Sequence, residues 1–119
     1  SAPATPAEGK PAATVLRVAQ GDPAQAVAVG TQVKGMDNAA LTRQEMIQVV
    51  AIKQIWGERT RLDAERSAVA DQVTRALGLI RQEMGARAMP IPGQAVEREF
   101  RQGLAQRQQK AAGKGQGMG

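Results

Sequence analysis

The chain has 119 residues, a formal net charge of +5, no cysteine, histidine or tyrosine, and only Trp56 and Phe100 as aromatics. This inventory excludes disulfides and thiolate chemistry and removes the commonest general base, so a non-enzymatic chain without metal or cofactor is expected. Each aromatic side chain buries ~150–250 Å²; their scarcity predicts a thin core, completed by copies of the chain or by a larger partner.

Ser1 reads as a mature start after loss of an initiator methionine, and no charged n-region with an apolar h-region follows it. No apolar run approaches the ~20 residues of a membrane span. The expected setting is soluble and intracellular, or inside a virus particle. Residues 1–13 carry Pro3, Pro6 and Pro11 among alanines, a composition that predicts an extended or disordered arm.

Residues 14–41 send two messages. Thr14-Val15-Leu16-Arg17-Val18 suits a short strand, and Val27, Val29, Thr31 and Val33 alternate with period two. Asp22-Pro23-Ala24-Gln25 instead matches an N-cap, a proline at N1 and a glutamine at N3. The β-branched alternation favours a strand-like or mixed arm, suited to adding to a partner's sheet edge.

A long helix is predicted over 42–88. Thr42 would cap it, Glu45 would complete a capping box, and Leu41 with Met46 would form a hydrophobic staple. No proline interrupts the chain until Pro90. Met46, Ile47, Val49, Val50, Ile52, Ile55 and Trp56 fall all around the helix, the mark of a segment buried on every side. From Leu62 the apolar set narrows to one stripe of Val69, Val73, Ala76, Leu77, Ile80 and Met84, spaced like a coiled-coil seam and spoiled by Arg66. Gly57 marks the change of character and the expected kink or break. Gly85 is the predicted C′ residue, followed by the turn Pro90-Ile91-Pro92-Gly93.

A shorter docking helix is predicted over 94–110, with Val96, Phe100 and Leu104 on one face. Residues 111–119 alternate glycine and form a flexible tail. Residues 100–119 contain Arg101, Arg107, Lys110 and Lys114 and no acid, so the chain's positive charge belongs to its end. Those four are the candidate phosphate contacts, sparse and without an interleaved aromatic.

The fold class read from this pattern is mainly α: one long, kinked helix, a shorter C-terminal helix, an extended N-terminal arm and flexible tails. Carboxylates and arginines fall into helical pairs, Asp71–Arg75, Glu83–Arg87 and Glu97–Arg101 in the favourable order, Arg59–Asp63 and Arg61–Glu65 reversed. Gly113-Lys114 is no phosphate loop, because Gln108 replaces its first glycine and Gly115 its hydroxyl residue.

The function expected is that of a structural or assembly subunit in a large complex, a virus particle (connector, portal-associated or internal protein) being the leading example. Its self or partner interface would be Met46, Val49, Val50, Ile52, Ile55, Trp56, Leu62, Val69, Val73, Leu77, Ile80 and Phe100. The alternatives are a nucleic-acid-associated helical oligomer binding through the basic tail, and an adaptor or chaperone whose segment 46–56 takes a client helix.

Overall fold

Aspartates start three of the four helices. In the computed structural model, which describes residues 14–117, these are α1 (Pro23–Lys34), α2 (Asn38–Trp56), α3 (Ala64–Ala86) and, without a local cap, α4 (Gly93–Gly117). Asp22, Asp37 and Asp63 each accept the backbone N–H three residues on, from Gln25 (3.0 Å), Ala40 (2.8 Å) and Arg66 (2.8 Å). Such a bond satisfies one of the donors that every helix start leaves open.

The result is a compact four-helix bundle, which corrects the expectation of one long helix with a short C-terminal one. α2 and α3 are the central pair; α1 packs on α3 and α4 packs on α2. The predicted long helix is interrupted at residues 57–63. Gly57 lies at φ +54°, a conformation open to glycine and closed to most side chains, and its N–H caps the Lys53 carbonyl at 2.9 Å. Arg59 donates to the Ile55 and Trp56 carbonyls, which leaves no helical continuation before Asp63 starts α3.

The start of α2 is also earlier than predicted. Asp37, not Thr42, is the N-cap; Thr42 sits a turn inside and donates its hydroxyl to the Asn38 carbonyl at 3.0 Å. Glu45 is therefore a helix-interior residue, and its carboxylate goes elsewhere. The strand-like reading of Val27 to Val33 fails for a related reason. The Asp22-Pro23 start wins, and Val29 and Val33, four residues apart, are buried on one helical face while Val27 stays 68% exposed.

Residues 14–19 are extended but form no strand. Leu16 and Val18 drop into the first core cluster with Val29, Val33, Leu41, Ala76, Ile80 and Met84. A second cluster joins Val49, Ile52, Val73 and Leu77, with Trp56, Val69, Val96 and Phe100 packed against it. Full burial of such aliphatic side chains contributes ~1.5–3 kcal/mol each, so the bundle holds without a rich aromatic content. The stripe predicted as a seam between chains is thus occupied within this chain.

α3 ends past Gly85, with Ala88 rather than a glycine in the left-handed region (φ 57°). Arg87 ties that end down, donating to Glu83, Asn38 and the Lys34 carbonyl. α4 is longer than the docking helix predicted and runs through the glycine-alternating segment to Gly117. The arm at 1–13 and the final residues 118–119 lie outside the described residues.

Candidate docking surface

A buried ionic knot fixes α2 relative to α3 and α4. Glu45 is fully buried; Arg81 of α3 contacts its Oε2 through Nε (3.0 Å) and Nη2 (2.9 Å), while Oε1 accepts the Gly93 N–H at 2.9 Å. Pro90-Ile91-Pro92 offers no capping side chain to α4, so Glu45 supplies the missing acceptor from another helix, where the helix dipole also favours an anion. A Cβ on Gly93 would stand 2.6 Å from Glu45 Cδ and closer still to both oxygens. Arg81 also donates to Glu97 at 2.7 Å, and Glu97 in turn accepts Arg101. Burial raises the Glu97 pKa, yet the hydrogen bonds and charges of Arg81 and Arg101 outweigh it and hold the group below its ordinary value.

On its other side the α2–α3 pair holds residues 14–18. Gln48 is buried; its Oε1 accepts the Leu16 N–H (2.8 Å) and its Nε2 donates to the carbonyls of Leu16 (2.9 Å) and Val73 (3.0 Å). Val18 N–H donates to the Gln72 carbonyl, Arg75 to the Val18 carbonyl, and Gln44 to the Thr14 carbonyl. This seats Val15 beside the outward face of α2.

With one face of α2 turned to the core, its opposite face is what remains. Arg43, Met46, Ile47, Val50, Ala51 and Gln54 line a shallow depression together with Val15. Val50 is 40% and Val15 37% exposed, and Met46, Ile47 and Ala51 are half-buried. The depression continues on one side past Ala51 to Ile55 and Val69, and on the other past Val50 to Phe100 and Arg107.

The interface residues read from sequence therefore divide into three groups. Val49, Ile52, Val73, Leu77 and Ile80 are buried in the chain's own core. Trp56, Ile55, Val69 and Phe100 are half-buried against the second cluster, and Leu62 is half-buried in the α2–α3 connection. Met46 and Val50 lie on the outward face. Ile47, Ala51 and Val15 join them there, and Val15 is placed by the Gln48 contacts, which no local sequence pattern announces.

The candidate phosphate contacts are dispersed. Arg101 pairs with Glu97 (3.1 Å) and lies 5.8 Å from the Phe100 ring centroid. Arg107 turns back to donate to the Gly57 (3.2 Å) and Arg59 (3.1 Å) carbonyls, joined by Gln108 to Thr60 (2.9 Å). Lys110 is exposed, and the Lys114 side chain lies beyond those described. Among the described residues, no group of three metal-ligating side chains converges, and no helix is long and apolar enough to cross a membrane. No family model, no curated protein and no solved structure matches the chain.

Proposed function

We propose that this chain is a non-enzymatic assembly subunit that docks on a protein partner through the outward face of α2, within a large complex such as a virus particle. The observation behind this reading is one depression in which Met46, Ile47, Val50, Ala51 and Val15 meet water, on a helix whose other side is fully committed to the core. Contiguous exposed apolar surface of this kind, rimmed by polar groups, marks interaction sites. The rim here is Arg43 and Gln54, and the surface is grooved along a helix, the shape that takes an amphipathic helix. Internal engagement of Arg101 and Arg107 favours this docking over phosphate binding by the tail.

The chain contains no cysteine, so Val50→Cys introduces a single reporter. Its maleimide labelling rate is compared in intact source cells and in dilute purified protein. Strong protection in cells is expected. Equal rates in both settings overturn the docking reading.

A further inference from the structure

Residues 14–18 are bonded along one edge only. The Thr14 carbonyl and the N–H and C=O of both Leu16 and Val18 are taken by Gln44, Gln48, Gln72 and Arg75. In an extended chain, successive residues direct these groups to opposite edges, so Val15 and Arg17 present theirs on the other side. Among the described residues, none pairs with the backbone of Val15 or Arg17. Both residues are exposed. Groups on α2 and α3 thus fix this segment in an extended conformation and leave its outer edge open. An edge so held is a template for pairing, and the fold has already met its ordering cost.

The side chains beside that edge specify what fits it. Val15 and Arg17 are two residues apart and share a face. They line a depression with Ile55 and Val69, and Arg43 stands with Val15 in the adjoining one. Among the described residues, no acid lines either depression, and neither Arg17 nor Arg43 forms an ion pair. The charge left uncompensated here is positive.

We infer that this edge takes an added strand from a partner protein, an extended segment with an apolar residue opposite Val15 and an acidic residue opposite Arg17. Its backbone supplies acceptors and donors to the N–H and C=O of both residues, as in strand addition to a sheet edge. Apolar and opposite-charge pairs across neighbouring strands are favourable, and a basic residue opposite Arg17 is not. The period of two then places the acid two positions from the apolar residue. A helix cannot substitute, because its own backbone groups are spent within it. The edge adjoins the α2 depression at Val15 but is recognised through backbone, where that depression offers apolar side chains. Loss of one surface leaves the other standing.

The probe is a capped seven-residue peptide of alternating threonines, with valine, glutamate and valine between them, so that it fits in either strand direction. It is titrated in the millimolar range into the ¹⁵N-labelled chain. Shifts at the Val15 and Arg17 amides are expected, with the amides of the α3 core unmoved. Methylating the valine and glutamate nitrogens blocks one edge of the peptide, and methylating the threonine nitrogens blocks the other. One of the two is expected to abolish binding and the other to leave it. Arg17→Glu, at an exposed position, is expected to weaken binding about fivefold, and lysine in place of the peptide's glutamate to restore it. No shift at Val15 and Arg17 overturns the added strand, as do shifts confined to Met46, Ile47 and Val50. Equal binding of both methylated peptides overturns recognition through the edge. Indifference to the charge swap overturns the acidic partner.

Discussion

The side-chain amide of Gln48 pairs with the backbone of Leu16 as a neighbouring β-strand would, accepting its N–H at 2.8 Å and donating to its carbonyl at 2.9 Å. One helical side chain thus replaces a sheet neighbour for a segment that has none, and a third bond from the same amide anchors the pair to the Val73 carbonyl of α3. Leucine in place of Gln48 matches its size but leaves the Leu16 N–H and carbonyl without their partner, while the Val73 carbonyl keeps its place in the α3 ladder. Buried groups left unpaired cost ~1–3 kcal/mol each, and local fraying of residues 14–19 recovers part of that. Gln48→Leu is therefore expected to lose about 2–4 kcal/mol in urea unfolding. Amide exchange at Leu16 and Val18 should accelerate more than exchange in α3. Uniform acceleration across the bundle would show that Gln48 supports the core generally and not this segment.

Gly93 and Glu45 form a second exact fit, between a carboxylate and a missing side chain. Alanine at 93 drives a methyl group into the Glu45 carboxylate, so either α4 retreats or the Arg81–Glu45 contacts open. Overpacking of this kind costs about 1–3 kcal/mol. Glu45→Ala relieves the clash but leaves Arg81 and the Gly93 N–H short of an acceptor. The double substitution Glu45→Ala with Gly93→Ala should cost clearly less than the sum of the single ones, with a coupling above about 0.5 kcal/mol. Additive losses in a thermal-unfolding cycle would count against the direct contact.

The sequence announced elements with local signatures better than it announced their limits. Asp22-Pro23-Ala24-Gln25 describes the start of α1 correctly, yet the period-two valines beside it favour a strand, because β-branched alternation looks the same whether every other residue or every fourth is buried. Thr42-Arg43-Gln44-Glu45 has the composition of a capping box but lies inside α2; Asp37 had already started the helix, and nothing local shows that Glu45 is required by Gly93, 48 residues away. The pairs Glu83–Arg87 and Glu97–Arg101 form as their spacing indicates. Arg75 is instead taken by the Val18 carbonyl, a tertiary competitor that i, i+4 spacing does not reveal. For the docking face, helical periodicity identified an apolar circumference on α2. Which half meets water depended on the break at Gly57, since the stripe on α3 can fold back onto α2 only after that break.

Ala88 offers a stabilising substitution. At φ 57° it adopts the left-handed conformation in which an L side chain crowds its own backbone, and it is exposed. Met89 N–H still reaches the Met84 carbonyl at 2.9 Å and Ala88 N–H the Gly85 carbonyl at 3.0 Å, so the helix ending is well bonded despite the strain. Glycine keeps both bonds and removes the crowding. Ala88→Gly is expected to raise stability by about 0.5–1 kcal/mol, less the added freedom of the unfolded chain. A lower melting temperature would mean that the Ala88 methyl makes a contact worth more than the strain.

The junction of α4 with the bundle should respond to acid. Glu97 is partly buried, which raises its pKa, but Arg81 and Arg101 hold it charged and leave it below its ordinary 4.5. A carboxylate depressed on folding stabilises the native state above its unfolded pKa, and the contribution disappears as pH falls through the folded value. The sensitive window therefore lies below about pH 4.5, with no change from this group between there and neutrality. Asp63 adds only in the lower part of that window, below its own ordinary 3.8. The Arg66 backbone N–H is the largest of the influences that lower its pKa, although the group is exposed and acts only on the start of α3. Trp56 is the sole tryptophan and packs in the cluster that includes Phe100 and Val96 of α4, so its fluorescence reports α4 docking. A transition in Trp56 emission below pH 4.5 is expected, reduced in Glu97→Gln, whose amide keeps a hydrogen-bond acceptor but no charge to lose. If Glu97→Gln leaves the transition unchanged, acid sensitivity at this junction belongs to other carboxylates.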